Sequence, residues 1–552
     1  MKMLMLAGCM AVAGTVQAAD TLVVAARIHT MDPARPQATA LLHDNTGRIL
    51  AVGDAASLRR THPGAAVVDF GDATLIPGLI DAHGHVAGLG MAELTANLVG
   101  ATSEADVVAR LKTFAATLPS EDSWITGRGW DQNLWPGKEF PTAAALDAAF
   151  PDRPVWLSRI DGHAGWANTA AMRRVKRDLS GDWQPAGGRV ERDGQGRPTG
   201  LFIDLAMQLV DDAIPATDDA TATRALELGM RRAVEHGLTG VHDAGVKLAD
   251  MRRYIRLVDE GRMPLRINAW AEGDGDALQW VCKNGRYRHS SGRLQMRSVK
   301  VYADGALGSR GAALLADYSD DPGNRGLMLN TPAQLLEIAR KAKRCGVQVA
   351  THAIGDAGNR NVIAAYEQAL GADGLRTDHR WRIEHAQIIA LEDIGRVARN
   401  GFIASMQPTH ATSDMPWAEA RVGPSRALGA YAWRHMRDAG VRLAFGSDFP
   451  VESVDPRLGL YSAVTRSDLK GLPIGGWMPQ EKVTLFEALR AFTVDAAWAG
   501  FMEDEVGSLQ PGKRADFVVL GADPHALPAS GLPTLAVRAT YVDGRAVYRE
   551  SR

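Results

Sequence analysis

Residues 221–245 read TATRALELGMRRAVEHGLTGVHDAG. Leu226, Met230, Ala233 and Val234 fall at helical spacing on one apolar face, and Gly237 supplies the stop. Thr239 to His242 then extend, so a helix hands the chain directly to a strand that ends in polar residues. The stretch 331–346, TPAQLLEIARKAKRCG, repeats the plan. Thr331 can cap, Pro332 fits the first turn and Gln334 completes a capping box. Leu335, Ile338, Ala339 and Ala342 share a face before Gly346 ends the helix, and VQVATHAIG follows at once as a strand. Helices alternating with strands in this way predict a parallel α/β core.

Eight segments qualify as core strands: LIPGLIDAHGH, TGVHDAG, LRINAWAEG, SVKVYADG, VQVATHAIG, WRIEHAQ, FIASMQPTH and RLAFGSDFP. Eight is the number that closes a parallel barrel. The chain has 552 residues, well beyond the roughly 250 that a (β/α)8 barrel needs. Part of the surplus, residues 101–220 with SWITGRGWDQNLW and VWLSRIDGHAGWAN, reads as an insertion after barrel strand 1. Loops at that end of a barrel carry chemistry, so the insertion reads as a substrate lid. Near the start, TLVVAARIHTMD and ATALLHDNTGRILAVG carry a β pattern, matched near the end by ADFVVLGADP and VRATYVDGRAVYR. The expected fold is therefore an α/β (β/α)8 TIM barrel over residues 77–504. A small β-sandwich domain is expected from the two chain ends, 19–76 and 505–552.

With 62 Lys and Arg against 64 Asp and Glu, a net charge of -2 offers no field to hold nucleic acid. The first twenty residues, MKMLMLAGCMAVAGTVQAAD, pair one Lys with an uncharged run too short to span a bilayer and with small residues before Ala18. That pattern is a signal peptide over 1–18 and predicts a secreted or periplasmic protein. Leu6 to Cys9 also resembles a lipobox, so the alternative is a lipoprotein anchored at Cys9, the one membrane attachment expected. Cleavage would leave Cys282 and Cys345 without C-x-x-C spacing. Both are expected to be small buried apolar residues, with neither a disulfide framework nor a cysteine zinc site.

The stretch PGLIDAHGHV, 77–86, ends an apolar strand with two histidines one residue apart. Alternate positions of a strand share a face, so His83 and His85 can chelate a metal together, with Asp81 behind them. Taken alone, the pair is as well explained by a polar strand face. Other strand ends repeat the signal, however: Lys300 in VKVYADG, His352 in VATHAIGD, His385 in RIEHAQ and Asp448 in AFGSDFP. Five polar positions at the catalytic end of one barrel are hard to explain as independent accidents.

Together with GWDQNLW, DGHAGWANTAA, VKVYADGALGSRGAAL, ATHAIGDAGN, ASMQPTHATSDMPWAEARVG, GSDFPVESVDPRLGLYSAVTR and GSLQPGKRADFVVL, these residues carry a resemblance over nearly the whole mature chain. The sequence resembles the amidohydrolase superfamily, in its amidohydrolase family 3 branch, which includes N-substituted formamide deformylase-like enzymes. The resemblance implies one or two divalent metal ions, Zn2+ by expectation. His83 and His85 would hold the more buried metal with Asp448, and His352 and His385 the second. Lys300 is the position where many superfamily members carry a carbamate, an anion suited to bridging two cations. An uncarboxylated lysine beside a single metal is the alternative.

On this reading the protein is a metal-dependent hydrolase of non-peptide C–N bonds in linear amide, N-acyl or N-formyl compounds, using metal-activated water. Asp448 would carry the proton, with His410 as a further catalytic candidate donating to the carbonyl oxygen. His163, Trp130, Asp131, Asp304 and Arg310 are substrate-binding candidates, with Trp135 and Trp166 beside them and Asp356 as a substrate-orienting one. His242 and Asp243 are expected to hydrogen-bond a metal ligand or each other. A deaminase or cyclic-amide hydrolase on the same scaffold is one alternative, and a non-catalytic extracytoplasmic binding protein is another. The expected partner is a small molecule, with a homodimer compatible and no nucleic acid.

Overall fold

The computed structural model describes residues 20–118, 120 and 123–551. The signal expected at 1–18, with Cys9, lies outside them. All eight core segments form strands, in the order Leu79–Gly84, Leu238–Val246, Arg266–Glu272, Leu294–Tyr302, Gln348–Ala353, Arg382–His385, Ile403–Met406 and Leu443–Phe445. These are barrel strands 1 to 8, each paired in parallel with the next. The seam between strands 8 and 1 is laced by a side chain. Asp81 accepts the Ser447 N–H at 3.1 Å and the Ser447 hydroxyl at 2.7 Å, while the Asp448 N–H donates to the His83 carbonyl at 2.7 Å. Gly446 permits this approach, since a Cβ there would lie 2.5 Å from the His83 nitrogen.

The helices form as their sequence dictates. Thr331 and Gln334 make both bonds of the capping box ahead of the helix Pro332–Arg344. The helix Asp219–Glu235 buries Leu226, Met230, Ala233 and Val234, and Gly237 ends it in the left-handed region at φ 89°.

The two chain ends share one eight-stranded sheet. Thr21–His29, Gln37–His43, Ile49–Gly53, Ala66–Asp69 and Thr74–Pro77 come from the start, and Phe517–Leu520, Val537–Val542 and Arg545–Arg549 from the end. Its core gathers Val23, Ile28, Leu41, Leu75, Phe517 and Tyr541, the last two rings stacked at 4.5 Å. Thr74–Pro77 pairs with Phe517–Leu520, and Gly78 then carries the chain straight into barrel strand 1. Arg266, on barrel strand 3, is buried and gives two bonds to Asp516, at 2.7 and 2.8 Å, and one to Asp543 at 2.6 Å, joining barrel to sheet.

The insertion is a six-stranded sheet running from Ala96–Asn97 to Pro198–Asp204. Trp130, Trp135 and Trp166 pack within it at ring separations of 5.9 to 6.1 Å. Arg128 pins it to the barrel mouth by donating to the Pro450 carbonyl, and is itself held within the insertion by the Ile160 carbonyl at 2.6 Å.

One expectation is corrected. Cys282 and Cys345 are half-buried and joined in a disulfide, 63 residues apart in sequence. Cys282 belongs to the helix Asp276–Asn284 and Cys345 caps Pro332–Arg344, consecutive helices of the outer ring. Barrel winding, which local spacing does not encode, brings them together. Among the described residues no helix is long and apolar enough to cross a membrane.

Candidate metal centre

The imidazoles that converge at the barrel mouth are each held from behind. His83 Nδ1 is 2.6 Å from a carboxylate oxygen of Glu384, His85 Nδ1 3.0 Å from the Ala244 carbonyl and His385 Nδ1 2.8 Å from Gln407 Oε1. Fixing Nδ1 as the donor leaves Nε2 as a lone pair directed at the centre, the arrangement by which outer partners orient metal-binding histidines. Burial lowers the His83 imidazole well below its ordinary value and brings that of His385 to about 3, so both are neutral at neutral pH. One ligand atom each from His83, His385 and Asp448 lies within 4.8 Å of the others.

Asp448 completes the set. Burial pushes its carboxyl up, but the surrounding imidazoles of His85, His83 and His385 outweigh that and hold it well below the carboxylate range. Oδ1 lies 3.1 Å from His85 Nε2 and 3.5 Å from His83 Nε2, yet it is buried without a hydrogen-bond partner. An ionised, orphaned oxygen facing neutral imidazole nitrogens is unfavourable unless a cation satisfies it. The donor set of nitrogen and oxygen suits zinc or a similar divalent ion.

Backbone strain aims two of these groups. His385 has φ 71° and Asp448 φ 59°, both in the left-handed region that non-glycine residues rarely enter. In barrel strand 6, Arg382 and Glu384 point into the barrel, so alternation would send His385 outward. The turn in its backbone brings it back.

Lys300 is fully buried with Nζ 2.8 Å from His83 Nε2, and burial lowers its ammonium to about 8 against the pull of Asp448 and Glu384. His352 lies beside His385 at a ring separation of 4.6 Å. Its Nε2 is 3.4 Å from the Gly305 carbonyl. His410 stacks on His385 at 5.9 Å, its buried Nε2 unpartnered and 3.8 Å from Asp448 Oδ2.

A model of the amidohydrolase family matches residues 66–548. The chain belongs to the amidohydrolase family. This amidohydrolase is 32% identical over 524 residues to the putative amidohydrolase YtcJ of Bacillus subtilis, which covers 93% of this chain and 96% of that protein. It is 29% identical over 553 residues to the N-substituted formamide deformylase of Arthrobacter pascens, covering 96% and 98%. Among solved structures, an uncharacterized metal-dependent hydrolase from Pyrococcus horikoshii superposes with a TM-score of 0.75 at 25% identity, covering 93% of this chain and 99% of that one.

The remaining candidates divide into those the amidohydrolase brings to the centre and those it employs elsewhere. His163 comes down from the insertion to lie 5.2 Å, ring to ring, from His352. Trp130 is buried in the insertion's own core with its indole N–H on the Leu157 carbonyl, and Asp131 caps the following turn and pairs with Arg159. Asp304 is fully buried and accepts the backbone N–H groups of Ala313, Ile354 and Gly355, bracing the loops after strands 4 and 5. Arg310 pairs with Asp320, and Asp356 accepts the Leu315 N–H. Asp304 Oδ1 also lies 3.8 Å from His352 Nε2, against the edge of the cluster. His242 and Asp243 do not pair with each other. His242 Nδ1 accepts from Arg382, and Asp243 accepts the Val86 N–H next to His85 and the Tyr254 hydroxyl. Sequence reasoning missed Glu384 and Gln407, which orient the imidazoles, and the insertion's Arg128, Arg159 and Asp204. Only Glu384 left a trace, as an acid at the end of an apolar strand in RIEH.

Proposed function

We propose that this amidohydrolase cleaves a non-peptide C–N bond in a linear amide, N-acyl or N-formyl compound. The observation that carries the reading is the orphaned Asp448 oxygen among the imidazoles of His83, His85 and His385, with Lys300 buried at the same point. A divalent ion held there, for which we propose zinc, would act as a Lewis acid on the scissile carbonyl and make water a stronger nucleophile at neutral pH. The protein's own part is to keep the imidazoles neutral and to provide a base. Asp448, ionised at neutral pH, accepts the proton of the attacking water on a carboxylate oxygen and returns it to the leaving nitrogen. His410 Nε2 faces the same volume and is free to hydrogen-bond the substrate.

Lys300 favours hydrolysis of an amide over a deaminase. Its ammonium, lowered to about 8, leaves a reactive fraction of free amine near neutrality, and carbon dioxide would convert it to a bridging carbamate. The likeness to a formamide deformylase over nearly the whole chain supports the same bond class. The disulfide supports an exported protein, because such bonds persist in oxidising compartments. We propose that the mature enzyme works in the periplasm or outside the cell.

The test is reconstitution of the mature chain with Zn2+ and 13C-bicarbonate, followed by a panel of N-formyl, N-acetyl and N-acyl amines beside esters and cyclic amides. Amide turnover with a carbamate carbon resonance is expected. Turnover of esters alone would overturn the C–N assignment.

A further inference from the structure

The insertion brings a built pair of side chains to the mouth. His163 precedes the strand Ala164–Ala167 and Asp204 ends the strand Pro198–Asp204 that pairs with it, so the two residues face each other at the end of the ladder. The Asp204 N–H donates to the His163 carbonyl at 3.0 Å, and His163 Nδ1 is 2.7 Å from Asp204 Oδ1. A carboxylate only accepts, so Nδ1 carries the proton and Nε2 is the atom presented outward. Among the described residues Nε2 has no hydrogen-bond partner, and the side chain keeps 16% of its surface open while Asp204 keeps none.

The barrel has made room for this pair. Asp204 has φ 51°, a strained backbone for a non-glycine residue. Its second carboxylate oxygen is buried without a partner against the loop after strand 4. A Cβ at Gly305 would lie 2.6 Å from that oxygen, and one at Gly311 2.5 Å. Two glycines of ADGALGSRG thus form a cradle that seats the lid's carboxylate. His163 N–H is held as well, by Asp161 Oδ1 at 3.0 Å.

We infer that the insertion completes the active site rather than merely covering it: His163 Nε2 makes a hydrogen bond to the reacting amide group of the substrate, and Asp204, seated between Gly305 and Gly311, is its positioning residue. The inference rests on the proposed C–N hydrolysis only for the identity of the substrate group. It gives the long insertion a chemical task that a lid alone would not require.

The zinc-loaded full chain tests it with N-butylacetamide, N-butylformamide and butyl acetate as probes. His163→Gly should lower kcat/KM by about 100-fold, keep the zinc content of the parent, and recover part of the activity when imidazole is added. Asp204→Asn and Gly311→Ala should lower kcat at unchanged zinc content without rescue by imidazole. Diethyl pyrocarbonate should modify His163, located by peptide mass spectrometry, and the bound probe should slow that modification. Loss of zinc from His163→Gly would overturn the inference by making His163 a ligand. Unchanged kcat/KM, or no protection by any of the three compounds, would overturn it too. Turnover of butyl acetate alone, with His163 protected, would defeat the C–N reading and leave the inference standing, since protection needs no turnover of an amide.

Discussion

Asp448 and the groups behind the histidines set what single substitutions should do. Asp448→Asn keeps the shape and an oxygen donor but removes the base, so a zinc-binding protein with turnover reduced by about 100-fold or more is expected. Metal analysis beside kinetics checks this, and retained activity would remove Asp448 from the role. Glu384→Gln leaves the His83 ligand atom in place but weakens its anchor at 2.6 Å. Zinc affinity should fall by about 10- to 100-fold, measured by chelator competition. His385 gives a pH signature in the metal-free chain. Its folded imidazole titrates at about 3 against 6.5 when exposed, so between those values the unfolded state binds a proton that the native state refuses. His385 therefore destabilises the fold progressively as pH falls from about 6.5 to about 3. Relative to His385→Asn, which cannot titrate, the parent should lose stability over that window in denaturant titrations. A constant difference would show that the imidazole is not held neutral.

At the scale of elements, the ligand strands were legible because each ends an apolar run with a polar residue. His83, Lys300, His352, His385 and Asp448 all sit at such ends. The left-handed backbone at His385 and Asp448 has no signature in the residues themselves, and Glu384 and Gln407 became meaningful only once their neighbours across the barrel were known. The tryptophans were compatible with an aromatic cover or with plain packing, and the inserted sheet uses Trp130, Trp135 and Trp166 for its own core. Two element-level predictions follow from the seam and the outer ring. Gly446→Ala would drive a methyl to within 2.5 Å of Asp81 Oδ1 and of the His83 nitrogen, so strand 1 must shift. Zinc affinity should fall although no ligand has changed, as calorimetric titration would show. Reduction of Cys282–Cys345 opens a loop of 63 residues, for which chain entropy predicts about 4 kcal/mol of lost stability. Thermal unfolding with and without dithiothreitol should differ in the parent and coincide in the Cys282→Ser, Cys345→Ser double variant.

For the whole molecule, the barrel and the terminal sheet are joined at Arg266, whose buried guanidinium is shared by Asp516 and Asp543. Asp516→Ala leaves the guanidinium only Asp543, so it should destabilise the fold by less than the roughly 3–5 kcal/mol of a buried charge left unpaired, and Asp516→Ala with Asp543→Ala by more than either change alone, in denaturant unfolding. The plan of barrel, terminal sheet and inserted sheet could be read from where strand-like segments cluster. The joints between layers could not, because Arg266, Arg128 and Asp204 pair with residues far away in sequence.

Thr74–Pro77 reaches the barrel only after zipping onto Phe517–Leu520, and His83 follows six residues past Pro77. The tail of the chain is thus a clasp on the root of the metal-binding strand. A protease clip that released Phe517–Leu520 and the strands after it would touch no ligand, yet it would slacken the strand from which His83 and His85 are hung. Loss of metal should then be an early mark of damage at the far end of the polypeptide.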